Sequence, residues 1–329
     1  MLEPELELEF SQAPVLSPLM NASGCNCKTR AQLDALVAAG MKTIITKTCT
    51  LEPNKGNPNP VFLEVGYNVS VNCLGMPNLG YFYYRDLYKE YKSRGITYII
   101  SMDASNLDQL LVMLLNYDSF LNNLCATEYV EINLSCPSTN CSRIIAYDIL
   151  TLARVLEAIK LLNLTNIKIG LKLAPYIDKI ILQNVANIIS KYQADSRINY
   201  IVCANSIPNG MVIDTQSGLP VLSAKTGGIS GMVNKLISLA NVYQFNEMFI
   251  KLRKRDKIKI IGCGGIETPH DISEYKAAGA DSVQIGRLLY THGTDILHSL
   301  INPNSTTKIN TNTTTTIHNT ASTNLKSKL

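Results

Sequence analysis

"IKIIGCGG", Ile258 to Gly265, is an apolar run that stops in small residues. It is too continuously apolar for a strand with one wet face, so both of its faces are expected to be covered. The same beat recurs as PLMNASG (Pro18–Gly24), KTIITKT (Lys42–Thr48), ITYIISMD (Ile96–Asp103), YVEINLS (Tyr129–Ser135), IKIGLKLA (Ile167–Ala174), YIVCANS (Tyr200–Ser206) and SVQIG (Ser282–Gly286). Helical patterns lie between the runs. One is TRAQLDALVAAG, with Thr29 placed to cap its start and Gly40 its end; others are AYDILTLARVLEAIKLL and DISEYKAAGA. Eight such strand–helix units predict an α/β chain folded as a (β/α)8 TIM-type barrel over residues 1–301. An open doubly wound sheet is the alternative fold. It is disfavoured because no G-x-G-x-x-G follows the first run and because polar residues collect at the C-terminal ends of many runs.

Composition narrows the function classes. The 329-residue chain is 46% hydrophobic and 17% charged, with a net charge of +4. No dense basic stretch with interleaved aromatics points to nucleic acid. KLRKRDK (Lys251–Lys257) reads as the solvated end of a helix. The acidic start MLEPELELEF has no apolar signal core, and no run of eighteen apolar residues is present. Nine cysteines, an odd number, fit reduced thiols and a cytoplasmic location. Cys25 with Cys27 and Cys136 with Cys141 are the close pairs. Neither has zinc-knuckle spacing, and His270, His292, His298 and His318 lie far from both, so no metal is expected. From Asn302 to Leu329 the chain turns Asn/Thr/Ser-rich and reads as a disordered tail.

The chemistry of a barrel sits at the C-terminal rim of its strands. There the sequence places Asn21, Ala22, Ser23, Lys47, Thr48, Asn133, Cys136, Lys172, Asn205, Ser206, Gly264, Gly265, Gly286 and Arg287. An insertion between Leu51 and Gly80, too long for a minimal loop, is expected to cover this rim. Glycines ending both the seventh and eighth runs suggest a phosphate site. Lys47 and Lys172 would each need an anion or an electron-rich ligand, or else a salt bridge to a carboxylate such as Glu131. Three amides, Asn72, Asn133 and Asn205, suit a planar ring bearing several N–H and C=O groups, such as a pyrimidine. Cys136 reads as a packed thiol or a proton-moving group, since its spacing to Cys141 disfavours a metal site.

Taken together, NASG, TKTCTLEPNKGNPNP, NCLGMPNLG, INLSCP followed by AYD, GLKLAPY, NSIPNGMVID, GGISG, GCGGIET and VQIG resemble the class 1A dihydroorotate dehydrogenases, from about Leu16 to Ile301. The resemblance implies an FMN-containing barrel, usually a cytosolic homodimer. Its members oxidise dihydroorotate to orotate in pyrimidine synthesis and pass the electrons to fumarate. It makes Cys136 the base that removes the C5 proton, with Pro137 holding its loop extended. Substrate would be held by Lys47, Asn72, Cys73, Leu74, Gly75, Met76, Asn133, Ser138, Asn205 and Ser206. FMN would be lined by Ala22, Ser23, Lys47, Thr48, Asn133, Lys172, Ala204, Gly231, Gly264, Gly265, Gly286 and Arg287. The chain departs from the family pattern where Ser138 replaces an amide, Ile144 a Gln, Pro208 a Gly, Ser230 a Gly and Arg287 a Thr. Two other readings stay open: a flavoenzyme for another pyrimidine-like ring, and a non-catalytic paralogue.

Overall fold

A computed structural model describes residues 14–135 and 144–301. All eight apolar runs form parallel strands of one sheet. These are β1 (Leu19–Asn21), β2 (Thr43–Ile45), β3 (Thr97–Asp103), β4 (Glu128–Asn133), β5 (Ile167–Lys172), β6 (Ile198–Cys203), β7 (Lys259–Cys263) and β8 (Ser282–Ile285). Each pairs with the next from β2 round to β8, and β8 pairs with β1.

Between β1 and β2 the ladder is replaced by a side chain. Asn21 Nδ2 donates to Ile45 O at 2.7 Å, and Ile45 N donates to Asn21 Oδ1 at 2.9 Å. An amide side chain carries one donor and one acceptor in the plane of a peptide group, so it can stand in for a missing backbone partner. Asn21 is completely buried with both functions satisfied. It is therefore a structural rim residue that closes the barrel.

Helices pack outside the strands. Leu33, Leu36, Tyr84, Tyr88, Leu110, Leu152, Val185 and Phe245 fill the outer layer, while Met20, Ile45, Ile99, Tyr200, Val202 and Ile261 fill the barrel interior. The capping residue foreseen at Thr29 forms a reciprocal box with Gln32 at the start of the helix Arg30–Ala38, and Gly40 follows its end at φ +98°. The reading of AYD as helix is corrected. Ile145–Tyr147 is a 3-10 turn, and Asp148 accepts from Thr151 N to begin the helix at Ile149. A carboxylate at that position competes for backbone donors and starts a helix better than it continues one. The helix Met232–Lys251 ends where KLRKRDK begins, but Arg255 is not merely solvated. Its Nη2 pairs with Asp281 Oδ2 at 2.9 Å and its Nε donates to Asn246 at 2.7 Å.

The insertion after β2 contributes a hairpin, Phe62–Gly66 and Val69–Asn72. Two further strands, Gly227–Gly231 and Ile207–Gly210, complete a four-stranded antiparallel sheet with it. This sheet walls the C-terminal rim. Among the described residues no helix is long and apolar enough to cross a membrane, and every cysteine is a free thiol. The expected tail, 302–329, lies outside the described residues.

Candidate active site

One cavity of about 550 Å³ opens between the strand ends and the antiparallel sheet. Every described residue assigned to substrate or cofactor lines it, whereas the rim residue Asn21 does not. Ala22 and Ser23 follow β1, and Lys47 and Thr48 follow β2. Asn133 ends β4, Lys172 ends β5, and Ala204, Asn205 and Ser206 follow β6. Gly264, Gly265, Gly286 and Arg287 follow β7 and β8. The capping sheet and the segment after its hairpin add Asn72, Cys73, Leu74, Gly75, Met76 and Gly231. Cys136 and Ser138 lie outside the described residues; Ser135, just before Cys136, lines the cavity.

The backbone is threaded tightly at one end. Gly231 has φ +95°, and a Cβ there would come within 1.8 Å of Asn68 O. Gly265 has φ +58°, and a Cβ there would meet Gly231 O at 2.6 Å. Glycine is required at both points, and it leaves backbone groups bare toward a ligand.

The amides are oriented by their neighbours. Asn133 Oδ1 accepts from Ser135 N and from Asn205 Nδ2, both at 3.2 Å. Asn205 Oδ1 accepts from Ser206 N at 2.8 Å. With both oxygens occupied, the remaining capacity of this pair is mainly N–H, suited to carbonyl or carboxylate oxygens. Asn72 Nδ2 donates to Gly228 O at 3.2 Å.

Two lysines bring positive charge to the cavity. Lys47 is buried, and among the described residues its ammonium has no ion-pair partner. Lys172 Nζ donates to Gln284 Oε1 at 2.6 Å and lies 3.3 Å from Cys263 Sγ. The alternative of a direct Lys172–Glu131 salt bridge is not what forms. Gln284 stands between them, its Nε2 donating to Glu131 Oε2 at 2.6 Å. Burial works against the charge of Lys172, yet Cys263 and Glu131 outweigh it and hold the lysine above its ordinary range. Burial likewise pushes up the Cys25 thiol, with Lys47 opposing.

Arg287 neither reaches freely into the cavity nor blocks it. Its Nη1 donates to Glu267 Oε1 at 2.9 Å and its Nη2 to Glu64 Oε1 at 2.8 Å, while its buried Nε has no partner among the described residues. Glu64 belongs to the hairpin, so this pair of bonds ties the capping sheet to the end of β8. Burial raises Glu267, with Arg287 opposing.

Several lining residues escaped the sequence reading: Cys25, Asn57, Ser135, Asn234, Cys263, Glu267 and Gln284. Gln284 had a usable signal, since a long amide between Val283 and Ile285 in a buried strand is as conspicuous as Lys172. Asn57 and Glu267 are ordinary loop residues and carried none.

Fold and cavity together define the chain as an α/β-barrel enzyme whose strand ends open into a capped cavity with lysines in its wall. It belongs to the dihydroorotate dehydrogenase family, whose model matches residues 5–305. Dihydroorotate dehydrogenase A (fumarate) of Lactococcus lactis subsp. lactis is 34% identical over 303 residues, covering 90% of this chain and 92% of that one. Dihydroorotate dehydrogenase (fumarate) of Kluyveromyces lactis is 33% identical over 305 residues, covering 91% of each. The crystal structure of DHODH in complex with ferulenol from Eimeria tenella superposes with a TM-score of 0.67 at 19% identity, over 86% of this chain and 79% of that one, which bears on the fold.

Proposed function

We propose that this chain oxidises (S)-dihydroorotate to orotate in pyrimidine biosynthesis, with FMN as its cofactor and fumarate as electron acceptor. One observation carries the reading: in a member of this family, all the described residues assigned to cofactor and substrate meet in a single cavity. FMN fits the residues present. The glycine-threaded end, where Gly231 and Gly265 leave no room for side chains, suits a phosphate, as does the Nε of half-buried Arg287, which has no partner among the described residues. A cavity of about 550 Å³ is of the size that takes a cofactor-sized ligand. When bound, FMN supplies the two-electron acceptor. Lys172 would hold positive charge toward the bound cofactor, and Lys47 would offer a second cation to cofactor and substrate. The donors of Asn133 and Asn205, with Asn72 and Ser206, receive the oxygens of the pyrimidine and its carboxylate. Cys136 takes the C5 proton; this assignment rests on the sequence resemblance. Homodimerisation and a cytoplasmic location follow from the same family reading.

The test is a flavin spectrum of the purified protein, an orotate titration of that spectrum, and anaerobic bleaching by dihydroorotate. A yellow protein perturbed by orotate and bleached by dihydroorotate is expected. Bound flavin with no response to orotate would support the other-ring reading, and a protein that stays colourless after FMN is added would support the non-catalytic one.

Arg287→Ala should weaken FMN binding about 10- to 100-fold, or roughly 1.5–3 kcal/mol, because it removes a cation and frees two carboxylates beside the phosphate end. Equilibrium titration of the flavin-free protein reads this directly. An unchanged affinity would mean that Arg287 serves only to tie down the hairpin.

A further inference from the structure

Glu131 is a carboxylate with no solvent exposure, inside the barrel on β4. It does not line the cavity. A buried carboxylate is costly unless something pairs with it. Among the described residues Gln284 Nε2 donates to Glu131 Oε2, and the Tyr200 phenol also bonds to that carboxylate. Gln284 is also completely buried. With its nitrogen on the carboxylate, its oxygen meets Lys172 Nζ. The amide has one allowed orientation, since turning it over would set oxygen against carboxylate and N–H against ammonium.

The groups facing Lys172 can be named element by element. Cys263 comes from β7, Gln284 from β8, Cys203 from β6 and Glu131 from β4. Tyr200 of β6 lies beside Glu131, and its phenol is kept protonated chiefly by burial and then by that carboxylate. Burial pushes the Cys203 thiol up, so it contributes no charge near neutrality. Of the titratable groups that favour the lysine's charge, Cys263 comes first, and Glu131 follows as the carboxylate among them.

We propose that Glu131 is a positioning residue for Lys172: through the fixed amide of Gln284 it keeps the lysine charged and in one place, so that the cofactor ring always faces a cation. This deepens the flavin reading above and rests on it. The ammonium is one amide nearer the cavity than the carboxylate, so the field there is dominated by the lysine. Glu131 acts on the reaction only through Lys172 and touches neither ring nor substrate.

The experiment has two arms. The first needs no cofactor: NMR of 15N-labelled lysine in the flavin-free protein follows the Lys172 signal, assigned by its loss in Lys172→Met. In Glu131→Gln the Lys172 signal should titrate at lower pH than in the unaltered protein. The second arm measures the midpoint potential of the bound flavin against pH near pH 8. The unaltered protein should take up about one proton per two electrons, and Glu131→Gln about two, because Lys172 must now gain a proton as the ring becomes anionic. The double variant Glu131→Gln/Gln284→Glu sets a carboxylate directly against the lysine and should restore both readings.

A folded Glu131→Gln whose Lys172 titration is unchanged overturns the proposal, and so does a changed titration that the double variant leaves unrestored, since packing would then be the cause. If Glu131→Gln does not fold, Gln284→Met breaks the same bridge and is expected to shift Lys172 in the same direction; no shift there is equally fatal. A protein that takes up no FMN defeats the flavin reading but leaves the NMR arm to judge the coupling of Glu131 to Lys172.

Discussion

Cys136→Ala should slow reduction of the bound flavin by dihydroorotate about 10²- to 10⁴-fold, the usual worth of a positioned proton acceptor. FMN content and orotate affinity should stay close to those of the unaltered protein. Lys47, Asn133, Lys172 and Asn205, which are proposed to hold cofactor or substrate, line the cavity. Cys136→Ser should keep a little activity that rises with pH, because a hydroxyl is the poorer base. Cys141→Ala is the control and should change the rate far less. The measurement is anaerobic single-turnover absorbance, with orotate binding scored separately. Reduction of Cys136→Ala at the unaltered rate would remove the base assignment and turn Ser138 to Ile144 into evidence for other chemistry. Joint loss of FMN from both cysteine variants would instead make Cys136 a packing residue.

Lys172→Met should destabilise the flavin-free protein by about 3–5 kcal/mol, since it strips a buried carboxylate of its counter-charge. Lys172 and Glu131 are both buried and share Gln284 between them. Adding Glu131→Gln in the same chain should recover much of the loss, because no uncompensated charge then remains. Urea unfolding of the four members of this cycle gives the coupling, expected at about 1–3 kcal/mol. Purely additive losses would show that Gln284 insulates the two charges rather than linking them.

The barrel was legible because a strand covered on both faces must be apolar almost throughout, and nothing else in a chain of this size repeats that pattern eight times. β5 and β7 stood out for this reason, and so did the lysine at the end of β5. The capping sheet was only half legible. Its hairpin lay in a conspicuous insertion, but Ile207–Gly210 and Gly227–Gly231 contain Pro208 and four glycines, which have low strand propensity. They are strands because Val69–Asn72 presents an edge for Gly227–Gly231 to pair with, a fact of tertiary structure. At the site, residues whose type clashed with their surroundings could be found. Gln284 was overlooked although its type clashed too. Arg287 was noticed, but its two carboxylate partners were not, since Glu64 and Glu267 are each distant from it in sequence.

The closure of the barrel by Asn21 has a dynamic consequence. A backbone ladder yields only when a strand moves, but a side-chain bridge yields to rotation about one or two bonds. The stave formed by β1 can therefore part from β2 without either losing its other neighbour. Amide hydrogens record such breathing, and Ile45, whose proton is guarded by Asn21 alone, should exchange with deuterium sooner than amides held by the continuous ladders of β4 and β5. This line of opening runs up to Ser23 and Thr48, which meet through a backbone bond of 3.2 Å and border the cavity. This side-chain-bridged seam thus reaches the edge of the chamber where the cofactor is proposed to lie.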